Sequence, residues 1–311
     1  MTGQVQQPGL VVLCGPTAAG KTAAALALAE HLPIEVVSAD SRQVYRLMDI
    51  GTAKPSRAER ASVPHHLLDV VWPDQPFDAA RFAELADAAI TAIHSRGRLP
   101  LVVGGTGLYI RALTGGLVDL PRPDPGLRES LQQLAAGEGS VALHRRLAAV
   151  DPPTARLLHG NDTVRIIRAL EVFEQTGRPL SAWQQEHGFR GGRYRVLKIG
   201  LTMERAELYR RIDARAAMMF AGGLVEEAAA LLAAGYAPQL KALQTIGYRE
   251  ALRVLREDCP VPAALVEVQQ ATRRYAKRQL TWFRADPEII WVDSLLDFDN
   301  IKKIIEQFHA A

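Results

Sequence analysis

The stretch Leu10-Val11-Val12-Leu13-Cys14-Gly15-Pro16-Thr17-Ala18-Ala19-Gly20-Lys21-Thr22 decides the fold class. Its first part, Leu10 to Cys14, is an unbroken apolar run ended by Gly15-Pro16, the pattern of a strand buried on both faces of a parallel sheet. Its second part satisfies G-x-x-x-x-G-K-[ST] at every fixed position. A glycine-rich loop between a strand and a helix turns successive backbone N–H groups and a helix N-terminus toward an anion. Lys21 then neutralises charge, and the Thr22 hydroxyl suits Mg²⁺. The segment Thr22 to His31 is rich in Ala and Leu and reads as that helix, with Pro33 stopping it. The pattern calls for a diphosphate without saying whose.

Outward from this loop, Ile34 to Ser38, Leu101 to Val103 before Gly104-Gly105, and Val196 to Leu201 read as three further strands. Strands separated by helical patterns predict an α/β fold, a P-loop NTPase-like parallel sheet flanked by helices. At Val118 the composition changes. Pro121, Pro123 and Pro125 break the chain, and a mainly helical stretch follows that closes near Gly191-Gly192. The expected organisation is a core of residues 1–117 and 196–311 with a helical insertion over 118–195. Beyond Leu201, helical spacing runs through Glu204 to Phe220, Leu224 to Ala234, Tyr248 to Arg256 and Pro262 to Phe283, so the C-terminal third reads as mostly helix.

Composition narrows the class. At 311 residues, 48% hydrophobic and 23% charged, the chain has enough apolar material for a large core, which excludes wholesale disorder, collagen and a disulfide scaffold. The 37 basic against 34 acidic residues leave a net charge of +3, too small by itself to name a nucleic-acid or membrane partner. Only seven of the basic residues are Lys, and the Arg fork is suited to phosphate, although a GC-rich genome yields the same bias. Cys14 and Cys259 stand alone, which argues against a structural zinc site and fits a reducing compartment. Met1 to Pro8 lacks the features of a leader, and no stretch reaches about 18 uninterrupted apolar residues. A soluble, cytoplasmic protein without a membrane partner is expected.

Several side chains carry possible chemistry. Asp40 falls at the carboxyl end of the second strand, the edge where open α/β sheets bind ligands. It reads as an acid holding Mg²⁺ through water, as a general base beside the loop, or as a cap on the next turn. The neighbouring Ser41, Arg42 and Gln43 offer hydrogen bonds to the edges of a base. Gly104-Gly105-Thr106-Gly107-Leu108-Tyr109 ends at the same edge, with one hydroxyl on Thr106. Arg211 and Arg215, four apart on one helix face, read either as a phosphate clamp opposite Lys21 or as surface residues. The run Thr272 to Arg284 holds five basic residues, three aromatics and no acid, which suits a phosphate backbone with bases to stack on, or an amphipathic helix with Trp282 and Phe283 in the core. Arg165 and Arg168, three apart in the insertion, would extend the phosphate-binding track.

The segments GPTAAGKT, ADSRQVY, GGTGLY and TRRYAKRQLTWFR stand in one order, and with NDTVRIIRALEV and QTIGY the set resembles the tRNA dimethylallyltransferase family from Leu10 to about Arg284. The resemblance implies transfer of a dimethylallyl group from dimethylallyl diphosphate to N6 of adenine 37 in tRNAs reading codons that start with U. It implies that Gly15, Pro16, Thr17, Ala18, Ala19, Gly20, Lys21 and Thr22 hold the donor diphosphate, with Mg²⁺ on Thr22 and Arg215 neutralising the leaving group. Asp40 would take the amine proton and Thr106 would orient the acceptor. Contacts to the tRNA anticodon stem-loop would come from Asp40, Ser41, Arg42, Gln43, Thr106, Arg128, Val164, Arg165, Arg168, Gln244, Gly247, Tyr248, Arg273, Lys277, Arg278, Gln279, Trp282 and Arg284. A monomer is expected, because two parts of one chain suffice to grip such a ligand. A P-loop kinase and a free-nucleotide isopentenyltransferase both account for the loop and Asp40, but neither uses the insertion or the basic aromatic run. A non-enzymatic RNA-binding module would not need the Lys21, Thr22 and Asp40 arrangement.

Overall fold

The computed structural model describes residues 7–188, 192–293 and 297–310. The chain divides into two compact units, one of residues 1–114 with 193–311 and one of 115–192. The sequence reading put these boundaries at 117/118 and 195/196. Of its expected Gly191-Gly192 hinge, Gly191 lies outside the described residues.

The larger unit is built on six parallel strands: β1 (Gly9–Cys14), β2 (Ile34–Ser38), β3 (His65–His66), β4 (Leu99–Gly104), β5 (Arg195–Thr202) and β6 (Ile289–Asp293), in the order β3-β2-β4-β1-β5-β6. β1 is central, with Val11 opposite Leu101 of β4 on one side and Leu197 of β5 on the other. That position explains its unbroken apolar run: Leu10 to Leu13 are wholly inaccessible. The helices are α1 (Lys21–Ala29), α2 (Arg57–Ser62), α3 (Ala79–Ser95), α4 (Gly107–Gly115), α5 (Pro125–Glu138), α6 (Ser140–Val150), α7 (Pro152–Leu157), α8 (Thr163–Thr176), α9 (Leu180–His187), α10 (Arg205–Ala221), α11 (Leu224–Ala233), α12 (Tyr248–Leu255), α13 (Val261–Arg284) and α14 (Phe298–Ala310).

Two strands differ from the sequence expectation. β6 falls in the part read as mostly helix; its Ile289-Ile290-Trp291-Val292 is strand-forming, but as an edge strand it buries only Ile289 and Val292 and shows no continuous apolar run. The two-residue β3 is too short to have a pattern.

One core cluster fills the space around the sheet, joining Val11, Leu13, Leu28, Leu101 and Ile199 to Ile301 and Ile305 of α14. A second gathers Val44, Tyr45 and Met48 with Leu224, Leu231, Leu243 and Tyr248. The smaller unit has its own core around Leu131, Leu143, Leu147, Ile166 and Leu170, on helices α5 to α8. Among the described residues no single helix is long and apolar enough to cross a membrane. α10 and α11 pass that test only as a pair bent by 51°, and their Leu208, Ile212, Leu224 and Leu231 are interior.

Candidate functional site

Strand order assembles the site. Because β4 lies between β2 and β1, the loops leaving these three strands emerge side by side at the carboxyl edge of the sheet. They are Gly15 to Gly20 after β1, Asp40 to Gln43 after β2, and Gly105-Thr106 after β4. In the first loop Gly15 has φ 143°, and a Cβ there would sit 2.6 Å from the Leu201 carbonyl oxygen, so glycine is required by both conformation and space. Ala18 is left-handed at φ 65°, and Gly20 at φ 86° caps α1. A left-handed alanine costs roughly 1–2 kcal/mol, a strain found where a loop is shaped around a ligand. Lys21 folds back over the loop, its Nζ donating to the carbonyls of Gly15 at 3.0 Å and Pro16 at 2.7 Å.

Asp40 Oδ1 accepts the backbone N–H of Arg42 at 2.8 Å and of Gln43 at 3.3 Å, so one oxygen caps the turn while Oδ2 has no hydrogen bond among the described residues. The capping role and a chemical role are therefore divided between two atoms of one carboxylate. Thr106 Oγ1 accepts from the Ser41 N–H at 3.1 Å, tying the β2 and β4 loops together. A cavity of about 340 Å³ opens beside the β2 loop, lined by Thr17, Asp40, Ser41 and Arg42, by Gly51 to Ala53, by Ile212, Arg215, Ala216 and Met219 of α10, by Gln244 to Gly247 and Arg249, and by Val268, Thr272, Tyr275 and Arg278 of α13. Cations, one carboxylate, hydroxyls and an apolar wall thus face the same space.

Electrostatics single out the phosphate end. Burial, and then the Arg215 guanidinium, pull the Lys21 ammonium down to about 8, with Asp40 opposing them. Burial also lowers Arg215, again against Asp40. Two desolvated cations facing each other are costly without an anion, which is the electrostatic condition of a diphosphate site. Arg211, the other member of the expected pair, is held by its Nε bond to Glu207 at 2.8 Å, whereas Arg215 lines the cavity. Tyr275 was legible only as part of a basic run. It lines the cavity, and burial, then Asp40, push its hydroxyl up to about 12, so it stays a neutral phenol.

The sequence profile of the IPP transferase family matches residues 43–286, and that of the isopentenyl transferases matches residues 8–74. The chain belongs to the IPP transferase family. Among curated relatives of this IPP transferase, the tRNA dimethylallyltransferase of Geobacter metallireducens is 55% identical, with 96% of this chain and 97% of the relative covered. That of Anaeromyxobacter dehalogenans is 52% identical over 96% and 99%. Among solved structures, the tRNA isopentenylpyrophosphate transferase of Bacillus halodurans matches at 42% identity and TM-score 0.71, covering 97% of this chain and 95% of that one. A eukaryotic dimethylallyltransferase acting on tRNA matches at 27% identity and TM-score 0.76, covering 92% and 74%.

Not every residue expected to touch nucleic acid in this IPP transferase is placed to do so. Tyr248 is wholly buried, its hydroxyl donating to Glu227, because it fills the second core cluster. Gln279 is 7% exposed and spans two loops. Gln43 lines its own fold: Oε1 accepts from Ser38 Oγ at 3.2 Å and Nε2 donates to the carbonyls of Thr52 and Ala53. Its amide shapes the cavity wall and is not a free reader of base edges. In the smaller unit Arg128 grips the wholly buried Glu171 through two bonds of 2.7 Å, and Arg168 donates to the Pro121 carbonyl and lies 3.5 Å from Glu171. These two arginines hold that unit together. Arg165 is exposed and paired with Asp162, and Val164 is 81% exposed.

On α13 the side chains separate by face. Lys277, Arg278 and Arg284 are exposed, Arg278 lying over the Tyr275 ring, while Arg273 is paired with Asp213 at 3.0 Å. Trp282 is 41% exposed beneath Arg111, and Phe283 is core. Gln244 is exposed at the cavity rim, and Gly247 caps α12. Sequence reasoning missed the loop from Asp49 to Lys54. It is fixed by the Glu227 carboxylate, which accepts three successive N–H groups of Asp49, Ile50 and Gly51, and by Lys54, whose buried Nζ donates to Asp49, Asp69 and the Tyr45 carbonyl. A lysine among acids in sequence gives no sign that it is interior.

Proposed function

We propose that this chain transfers the dimethylallyl group of dimethylallyl diphosphate to N6 of adenine 37 in tRNAs reading codons that start with U, releasing diphosphate. The observation that carries this reading is the strand order, which brings the phosphate loop and its desolvated Lys21 beside a cavity lined by Arg215 and Asp40. A neutral adenine amine is a weak nucleophile, so most of the rate must come from alignment and from stabilising the departing diphosphate.

The loop from Gly15 to Thr22 holds the donor diphosphate, with Lys21 and Arg215 countering the negative charge that grows on it. Asp40 accepts the N6 proton through Oδ2, a contribution of about 10²–10⁴, and Oδ1 keeps the carboxylate oriented by its two backbone bonds. Thr106, tied to the Ser41 N–H, presents its hydroxyl beside the acceptor. The hard oxygen of the Thr22 hydroxyl, beside the phosphate loop, fits Mg²⁺ and would hold the ion. When bound, the ion supplies further neutralisation of the leaving group.

The target base must leave its loop stack, at a cost of a few kcal/mol. The exposed face of α13, with Lys277, Arg278, Arg284 and Trp282, and the exposed Val164 and Arg165 of the smaller unit supply phosphate and stacking contacts to the anticodon stem-loop. A monomer suffices for this reaction, and a soluble cytoplasmic enzyme accords with this substrate. The discriminating experiment supplies labelled dimethylallyl diphosphate and Mg²⁺ with unmodified tRNA, AMP or ATP. Label on tRNA alone is expected; label on AMP alone, or ATP turnover, overturns the reading. Asp40→Asn keeps the turn cap, so it should cut transfer by about 10²–10⁴ with tRNA affinity within a few-fold.

A further inference from the structure

α13 approaches the sheet through a face spaced three and four residues apart: Thr272 and Tyr275 line the cavity, Gln279 lies one turn on, and Trp282 one turn further. Gln279 is interior, and both ends of its amide are used. Oε1 accepts the Thr17 N–H of the phosphate loop at 2.8 Å, and Nε2 donates to the Gly105 carbonyl of the β4 loop at 2.9 Å. The fit is tight, since a Cβ on Gly105 would lie 2.2 Å from Nε2 and one on Gly107 would lie 2.1 Å from the Trp282 ring. Among the described residues, Gln279 is the side chain that bonds to both loops. The ladder between β1 and β4 holds these chains together as far as Cys14 and Gly104; beyond it, Thr17 and Gly105 are joined through the Gln279 amide.

We infer that Gln279 is a positioning residue that sets the distance between the donor's phosphate loop and the acceptor's Asp40–Thr106 edge. The inference rests on the proposed division of the cavity, with the diphosphate at Lys21 and the amine at Asp40. In an in-line displacement, the two reactants must be held at near-attack separation, and a displacement of about 1 Å can cost about 10²-fold in rate. Thr17 follows Gly15-Pro16, whose carbonyls hold Lys21, and Gly105 precedes Thr106, whose hydroxyl holds Ser41 beside Asp40. One primary amide therefore ties the loop carrying the leaving-group cation to the loop carrying the acceptor hydroxyl. Glutamine suits this place because it alone offers a donor and an acceptor at that reach without charge; a carboxylate would lose the bond to Gly105 and set a negative charge near the diphosphate.

The test compares the full-length protein with Gln279→Met, which keeps the volume and removes both bonds, and with Gln279→Asn, which keeps the amide but is one methylene too short to span. Single-turnover transfer to unmodified tRNA is measured at saturating donor and tRNA, together with tRNA affinity by filter binding and thermal melting. The expected result is a transfer rate lower by about tenfold or more in both variants, with tRNA affinity within about twofold and the melting curve near that of the parent. Unchanged transfer overturns the inference. So does a loss that saturating tRNA restores, because Gln279 would then act as a nucleic-acid contact. If Gln279→Met does not fold, Gln279→Asn decides by the same criteria. A parent protein that labels AMP but not tRNA marks failure of the functional reading instead, and leaves the comparison of variants to be made on that acceptor.

Discussion

Lys21 should take up a proton when the donor binds. Without an anion its ammonium is brought down to about 8 by burial and by Arg215. A diphosphate in the loop supplies the opposite charge that favours the ammonium and returns it to at least its ordinary value of about 10.4. At pH 8 about half of the free lysines are neutral, so binding draws in about 0.5 proton; at pH 9 the figure is about 0.9, and at pH 7 about 0.1. Donor affinity should accordingly weaken by up to about tenfold per pH unit above 8. The donor's own last ionisation lies near 6 and makes no contribution in this range. Titration calorimetry of dimethylallyl diphosphate in two buffers of different ionisation enthalpy reads the uptake directly. Lys21→Met should abolish it, and Arg215→Gln should shift it to higher pH by removing the second cause of the depression. Uptake below about 0.1 proton at both pH 8 and pH 9, or uptake that survives in Lys21→Met, would refute the reasoning.

Three further outcomes are expected. The slope of log affinity for tRNA against log salt should fall by about 0.7–0.9 on Lys277→Ala and again on Arg278→Ala, but less on Arg273→Ala, whose charge is already paired with Asp213; equal losses at all three would contradict the pairing. Glu171→Ala removes the buried partner of the half-exposed Arg128 and Arg168 and should destabilise the smaller unit by about 1–3 kcal/mol, seen as earlier proteolytic cleavage within 115–192; unchanged protection would refute a structural role for that carboxylate. The melting temperature should hold between pH 6 and 5 and drop below about pH 4, because several carboxylates, Glu35, Asp69 and Asp151 among them, sit below their usual range in the folded chain. The Arg96 bond holds down Glu35, Lys54 and Arg60 overcome burial at Asp69, and bonds from Ser181 and Thr154 overcome it at Asp151. The unfolded chain binds those protons first as pH falls, so this stability is present above the unfolded values and is lost below them; a melting temperature flat to pH 3 would refute it.

The parts of the fold legible in sequence were those whose signal is local. β1 announced itself by an apolar run because a central strand is buried on both faces, and the phosphate loop by glycines that its dihedral angles and the nearby Leu201 carbonyl demand. Asp40 and Thr106 were readable as neighbours of strand ends, since the carboxyl edge of a parallel sheet is where ligands go. What sequence could not show was which polar side chains turn inward. Gln279 was grouped with the basic residues around it, yet helical spacing puts it on the opposite face from Lys277, toward two loops. Tyr248 and Glu227 form a contact across chain segments that no spacing rule connects. Edge strand β6 was lost for the reverse reason, because half-burial leaves no periodicity strong enough to compete with flanking helices.

The arginines show why a charge total misleads in both directions. A net charge of +3 is too small to indicate a polyanionic partner, and counting clustered arginines overstates the binding surface, because Arg128, Arg168, Arg211 and Arg273 are each committed to an internal carboxylate or carbonyl. The informative cations are those whose geometry leaves them wanting an anion. Among the described residues Lys21 donates to two carbonyls and to no carboxylate, and the nearby Arg215 opposes its charge at an energetic cost to the fold. A site that spends stability in this way gains it back on binding, and the gain is largest when negative charge is greatest, as the carbon–oxygen bond breaks and the charge on the diphosphate rises. The same strain that makes the empty loop unfavourable is thus what makes it selective for the leaving group over the bound donor.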